Sequence, residues 1–335
     1  MDFLIYYPHK EETEMRKINK ILDIDDQPVR YINDSPVSIE ICNIHHTPVH
    51  IHKSAVELIY CLEGQISIHC NHEFITLSKG QIFTVDFEDV HCLYSDVDNL
   101  LIIMHIDLKK LDKPWSFMQY VYLACEDNSC APYQKEYLQE IKNMVLASAY
   151  IYTKKDTLTD CESYSVSNKI VNILLDHFDW FNYINVYPNK NDEIRERFQV
   201  ISAYCQDNYA RKITIGELAE AVHINENYLS QFIRKSSFGS FSNMLGYIRC
   251  FAAQTLLLTT ELSVIDISDR CGFSDDKYFY KHFKLAWGKT PSEHRRWYKD
   301  YIKEPDKITV ISNEQAFKIL EPYAAEYFAE HILSK

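Results

Sequence analysis

Two groups of side chains in this chain have types and spacings that could do chemistry. The first is His50-x-His52, followed by Glu57 and Gly64, then by Gly80 and, eleven residues later, His91. Imidazoles and a carboxylate are donors that suit Fe, Mn, Ni or Zn. The same groups can line a polar pocket for a small organic molecule, or be strand histidines with ordinary hydrogen-bond partners. Residues i and i+2 of a strand share a face, so His50 and His52 can look the same way. The second group consists of amides and cations in the last third of the chain. In ENYLSQFIRK, Tyr228, Leu229 and Phe232 are expected to face a core, which leaves Asn227, Ser230, Gln231 and Arg234 outward. Further on, Phe279 and Phe283 are expected to be core, with Asp276, Lys277, Tyr280, Lys281 and Lys284 outward. Arginine can bridge guanine with two hydrogen bonds, and Gln or Asn can do so with adenine. Lys284, Lys289, Arg295 and Arg296 suit phosphates, which orient a protein without specifying sequence.

The second group has to be held by short helices. In LSVIDISDRCGFSDDKYFYKHFKLAWGKTPSEHRRW (262–297), Ser263 can cap a helix striped with Val264, Ile265 and Ile267. Gly272 then allows a sharp turn. Ser274 is expected to cap the next helix, whose early Asp275 and Asp276 suit the positive end of the helix dipole. Gly288 ends that helix and Pro291 starts another. Two short helices about a Gly turn, the second basic and aromatic, make a helix-turn-helix.

The run G-F-S-D-x-x-Y-F-x-x-x-F-K-x-x-x-G-x-T-P-x-x-x-R resembles the signature of the AraC/XylS family of bacterial transcription regulators. A weaker copy lies about fifty residues earlier, with Tyr228-Leu229 where Tyr278-Phe279 stands and Arg234 where Lys284 stands. The resemblance covers roughly residues 194–299. It implies two motifs in one domain, sequence-specific binding of duplex DNA, contact with RNA polymerase, and activation more often than repression. The first motif departs from the pattern twice. His223 stands in a turn where glycine is usual, and Phe238-Gly239 stands where the helix-ending glycine falls at 238. Arg249 matches a family arginine expected to be structural.

The charge distribution fits such a reader. The chain carries a net charge of −13 over 335 residues. Residues 211–299 hold 13 basic and 9 acidic residues, net +4, so the remainder holds 22 and 39, net −17. A mildly basic end on an acidic body is the footprint of a DNA-binding domain attached to something else. The 10 cysteines include no C-x-x-C pair and no zinc-finger spacing, so they read as reduced thiols of a cytoplasmic protein. Cys125 and Cys130 could form a redox pair, but nothing in the spacing requires it. No signal peptide and no membrane span are expected.

The first group of side chains needs a different scaffold. Residues 2–7 read as an edge strand and 11–22 as a helix. From Val37, short runs alternate apolar and polar residues: SIEICNIHH, AVELIYCLEG, QISIHCN, HEFITLS, QIFTVDF and NLLIIMHID. Turn residues Glu63-Gly64, Cys70-Asn71 and Lys79-Gly80 separate several of them, which predicts a sandwich or small barrel. H-x-H-x4-E-x6-G and the Gly80–His91 segment resemble the paired motifs of the cupin superfamily, a double-sheet jelly roll. The resemblance implies that His50, His52, Glu57 and His91 either hold one divalent ion or line an effector pocket, with Tyr60, His69 and Tyr94 as further lining. Asp86, Glu88 and Ser95 depart from the pattern. No cofactor is otherwise expected.

Residues 133–153 and 166–181 have apolar residues at helical spacing and could form a dimer seam or cover the barrel. A linker is expected over 184–193. Residues 321–335 read as an amphipathic helix without assigned function. The expected fold class is α+β. Residues 1–130 would form a cupin-like sensor, 131–190 a helical linker and 191–300 an all-α double helix-turn-helix domain, with 301–335 as an extension. The expected function is a homodimeric transcription regulator under a small-molecule effector, a sugar or related metabolite being usual in the family. The alternatives are a metal-dependent cupin enzyme with an appended DNA-binding domain, and an effector-independent scaffold, which a barrel filled by bulky side chains would favour.

Overall fold

A computed structural model describes residues 29–32, 34–70, 73–87, 89–111, 123–128, 130–155, 158–178, 192–236, 238–299 and 307–333. The segments 2–7 and 11–22 lie outside them, as does the linker at 184–193 except its last two residues.

The β-type runs form strands that pair antiparallel into a nearly closed barrel. These are β1 (Val37–His46), β2 (Ala55–Glu63), β3 (Gln65–Cys70), β4 (Glu73–Ser78), β5 (Ile82–Val85), β6 (His91–Tyr94) and β7 (Leu100–Asp107). Their order in the sheet is β4-β3-β6-β1-β7-β2-β5. The period-two pattern sorts each strand into two faces. On β2, Ile59 and Cys61 look into the barrel with Leu101 and Ile103 of β7. Val56, Leu58, Tyr60 and Leu62 look out, with Ile102, Met104 and Ile106 of β7. The interior is filled by Ile44, Ile66, Ile68, Leu77, Phe83, Val85 and Leu93.

The outward face is covered by α1 (Lys135–Lys155) and α2 (Asp160–His177). Thr159 starts α2 with a capping box, accepting from the Glu162 backbone while Glu162 bonds back. Ile141, Val145 and Ala149 of α1 and Ile170, Leu174 and Phe178 of the second segment join the outward strand residues in one core. The apolar stripes foreseen in these helices are therefore used to cover the barrel.

The helical domain comprises α3 (Asp192–Asn208), α4 (Ile215–Ala221), α5 (Glu226–Lys235), α6 (Phe241–Thr259), α7 (Val264–Arg270), α8 (Asp276–Trp287) and α9 (Pro291–Lys299). The long α6 carries two cores. Met244, Leu245 and Ile248 pack with Leu218, Leu229 and Ile233. Cys250, Ala253 and Leu257 pack with Ile267, Phe279, Phe283 and Trp287. Arg249, midway along, donates to the Tyr209 carbonyl (2.8 Å) and the Arg211 carbonyl (2.9 Å), which bears out its structural role.

After this domain the chain returns to the barrel. β8 (Lys307–Val310) pairs antiparallel with β1 over Cys42–His46, and α10 (Asn313–Leu333) packs on α1. The helix expected from 321 begins eight residues earlier and runs through Pro322. An internal proline removes one helical hydrogen bond. The preceding turns are anchored by Ser312, whose carbonyl accepts from Ala316, and by burial of Ala316 and Leu320 in the α1–α2 core. All ten cysteines are free thiols, eight of them buried, and no described helix is long and apolar enough to cross a membrane.

Because Leu320 is 1% exposed in the shared core, Leu320→Ala should destabilise the barrel half by about 2–5 kcal/mol. Thermal unfolding followed by near-ultraviolet circular dichroism measures this. An unchanged midpoint would mean the C-terminal helix is only loosely attached.

Candidate functional site

At one end of the barrel the interior stops being apolar. Glu57 continues the inward face of β2 beyond Ile59, and His105 continues that of β7 beyond Ile103. The β2–β7 register sets Glu57 directly opposite His105. The segment holding His50 and His52 reaches the same place, where His50 bridges antiparallel to His91 at the start of β6. His50, His52, Glu57 and His91 each offer a ligand atom within 4.8 Å of the others. All are nearly sealed from solvent, between 0% and 4% exposed, and His105 is 9% exposed.

The hydrogen bonds fix the tautomers of two rings. Nδ1 of His50 lies 2.8 Å from the Pro48 carbonyl, and Nδ1 of His91 lies 2.9 Å from the Asp89 carbonyl. A carbonyl can only accept, so each Nδ1 carries a hydrogen and each neutral ring keeps its lone pair on Nε2. Nε2 of His91 is 2.9 Å from Oε2 of Glu57. His52 Nε2 is 3.7 Å from the same oxygen, His105 Nε2 is 3.6 Å from Oε1, and the His52 and His105 Nε2 atoms are 3.3 Å apart. Glu57 Oε2, His91 Nε2 and His52 Nδ1 have no well-aligned hydrogen bond among the described residues.

Lone pairs this close repel unless something positive stands between them. One proton can do it. Burial alone would raise the Glu57 carboxyl, but the His91 charge and contacts with His52 and His91 outweigh it, and the group is held well below the usual carboxylate range. Burial lowers His91, but Glu57 and the Asp89 carbonyl lift it above its ordinary value. Burial, then the His91 charge, lowers His50. Burial takes His105 down to about 4. A divalent cation can also do it. His50, His52, Glu57 and His91 fit one, being mixed nitrogen and oxygen donors with two imidazoles already oriented through Nδ1.

The other lining residues foreseen from sequence are elsewhere. Tyr60 lies on the opposite face of β2, in the core under α1 and α2, because an offset of three residues from Glu57 reverses the side. His69 is buried on β3 against Trp297, and Tyr94 is exposed on β6 with its hydroxyl on Asp96. His105 was missed by sequence reasoning. Its signal is the alternation Leu101, Ile103, His105, which puts it on the interior face.

In the helical domain, Thr214 and Ser263 cap α4 and α7, accepting from Glu217 N and Asp266 N. Asn225 caps α5. Asp275, not Ser274, caps α8, its carboxylate accepting from Lys277 N at 2.7 Å. His223 adopts φ 54° in the first turn, which matches its place in a glycine position. Gly272 has φ 79°, and a Cβ there would lie 2.5 Å from the Tyr209 carbonyl oxygen, so no side chain fits.

Asn227, Gln231 and Arg234 of α5 and Lys277, Tyr280, Lys281 and Lys284 of α8 are exposed, with Ser230 and Asp276 half-buried at the edges. Leu229 and Ile233 are buried beneath the first set; Phe279 and Phe283, beneath the second. Tyr228, expected in the core, is 46% exposed, and the Arg197 guanidinium lies 5.3 Å from its ring. Arg296 is exposed. Arg295 and Lys289 are half-buried: Arg295 donates through Nε to the Leu257 carbonyl (2.8 Å), and Lys289 Nζ stands 4.2 Å from the Trp297 ring. Both have partners inside the protein, in place of the free phosphate-facing side chains expected.

Comparison with known proteins matches residues 218–296 to a family described as "Helix-turn-helix domain". That stretch, from α4 to α9, is a helix-turn-helix domain. An uncharacterized HTH-type transcriptional regulator of Escherichia coli K12, YijO, is 35% identical over 107 residues, covering 32% of this chain. The chain spans only 38% of the length of that relative. Two relatives align over more of the chain. The Msm operon regulatory protein of Streptococcus mutans is 21% identical over 71% of this chain and 82% of its own length. The raffinose operon transcriptional regulatory protein RafR of Pediococcus pentosaceus is 25% identical over 68% and 79%.

The packing under α8 is tight enough to reverse a propensity rule. A Cβ on Gly246 of α6 would lie 2.5 Å from Nδ1 of buried His282 on α8. Alanine favours helix over glycine by about 1 kcal/mol, yet overpacking costs about 1–3 kcal/mol. Gly246→Ala should therefore lower the denaturant midpoint of the helical domain. A raised midpoint would show that α6 and α8 are further apart.

Proposed function

We propose that this chain is a transcription regulator in which α5 and α8 read duplex DNA and the barrel supplies the regulatory input. The observation that carries the reading is the double set of exposed amides and cations on two capped helices, each over its own core and both joined by α6. In this reading Asn227, Gln231 and Arg234 contact base edges, as do Lys277, Tyr280 and Lys281, while Lys284 and Arg296 hold phosphates; their exposure supports it. The relatives are named as regulators, which favours this reading over a metal-dependent enzyme. Two are named for operons, one of them the raffinose operon, which supports control of a small set of metabolic genes. A homodimer and contact with RNA polymerase belong to the same reading.

For the effector, the packed apolar interior leaves little support for an organic molecule inside the barrel. The buried histidine end supports a divalent cation held by His50, His52, Glu57 and His91. Such an ion supplies positive charge that neutralises Glu57 and ties the His50–His52 segment to His91. Metal analysis of the purified protein should find about one equivalent of a divalent transition metal, lost on His52→Ala. Absence of metal after reconstitution would reject this part.

The DNA reading is tested by selecting bound sequences from a random pool. Gln231→Ala should cost about 1–3 kcal/mol on the best site and relax the preference at one base pair. Arg296→Ala should weaken all sequences alike and lower the salt slope by about one. An unchanged preference for Gln231→Ala means that α5 is misplaced in the groove.

A further inference from the structure

The helical domain rests on the histidine-bearing end of the barrel. His50 and His91 exchange two backbone hydrogen bonds, His50 N to His91 O at 3.0 Å and His91 N to His50 O at 3.1 Å. Within this paired segment the side chains alternate. His50, His52 and His91 converge on Glu57, so Ile51 and Val90 point the other way. Both are nonetheless buried, at 5% and 1% exposed, in a small apolar cluster with Val49 and Leu258. Leu258 lies in the last turn of α6, the helix joining the two motifs. Close to this, Trp297 of α9 stacks on His69 of β3, with ring centroids 4.6 Å apart and planes 11° from parallel. Phe74 packs on the edge of His69 at 4.3 Å. The two helices that make these contacts, α6 and α9, flank the second motif, and the exposed faces of α5 and α8 take no part in them.

We infer that ion binding at the histidine site and seating of the helical domain on the barrel are coupled through Ile51 and Val90. The inference rests on the reading of His50, His52, Glu57 and His91 as an ion site. An ion shared by donors from both segments fixes residues 50–52 relative to residues 90–91. The seat for Leu258 consists of the intervening outward side chains of those same segments. Without the ion, the segments keep the His50–His91 pair and the hydrogen bonds of Thr47 with Leu93, and only a proton between Glu57 and His91 offsets the facing lone pairs. The ion therefore steadies the seat for Leu258, and a filled seat in turn holds the donors in place. Coupling of this kind is reciprocal: whatever the ion does for docking, docking does for ion affinity.

Reciprocity gives a test that needs no knowledge of the operator. Leu258→Ser in the full chain removes the apolar plug but no donor atom. The probe is Co²⁺, titrated into metal-free protein and followed by its visible absorption, which reports on ligands and affinity together. Co²⁺ should bind the variant about tenfold more weakly than the wild type, within the ordinary range of coupling between two sites. The absorption at saturation should be unchanged, because the donors are the same. Equal affinity in the two proteins overturns the coupling and leaves the ion site standing. Failure of the wild type to bind Co²⁺ at all overturns both. If the variant does not fold, amide hydrogen exchange on the wild type decides the matter: protection of the last turn of α6 should rise on adding Co²⁺, and unchanged protection overturns the inference.

Discussion

A carboxylate inside an apolar barrel must have positive charge beside it. Removing Glu57 from water without compensation costs several kcal/mol. The arrangement around it answers that constraint. The register of β2 on β7 brings His105 opposite, and the His50–His91 bridge brings three more imidazoles from two other segments. The barrel thus closes at this end around a charge and elsewhere around hydrocarbon. The two regions differ in what holds them. The hydrocarbon part is held by burial and needs no partner. The charged end needs positive charge beside the carboxylate, which a proton on His91 supplies and which a cation held by the same donors would supply as well.

The same logic divides the molecule electrically. The helical segment 211–299 has a small positive net charge, and the rest of the chain is strongly negative. A polyanion approaching this protein is repelled by the barrel half and accepted only where the cations of α5, α8 and α9 stand out. Lys289 and Arg295 do not add to that surface, because one sits by Trp297 and the other is turned onto the end of α6. The number of cations in the sequence therefore overstates the number that stand clear of the protein to meet a phosphate.

Much of this was legible in the chain itself. Alternation located β1 to β5 and β7, and turn and cap residues located the helices of the second half, including the left-handed His223. The failures share physical causes. In β6, His91, Cys92 and Leu93 are buried in succession, so no apolar–polar alternation marks the strand. Tyr60 was expected to line the site, whereas a three-residue offset from Glu57 on a strand puts it on the opposite face. His105 was overlooked because its significance comes from a partner strand, and cross-strand register is a property of the folded sheet. Tyr228 was expected inside because it is aromatic, whereas the buried positions of α5 are Leu229 and Ile233, four residues apart. At α8, Ser274 and Asp275 are both good caps, and only the backbone decides between them.

The last strand has a consequence for how the protein is made. β8 belongs to the barrel sheet, yet the whole reading domain lies between it and β7 in the chain. As the polypeptide leaves the ribosome, β1 has its β7 neighbour early, while the stretch from Cys42 to His46 waits for residues 307–310. An unpaired strand edge offers a template to any other extended chain. During synthesis this edge remains open for as long as it takes to translate some two hundred residues. The nascent barrel therefore keeps an open edge until the helical domain has been completed, and the arrival of β8 is what closes it.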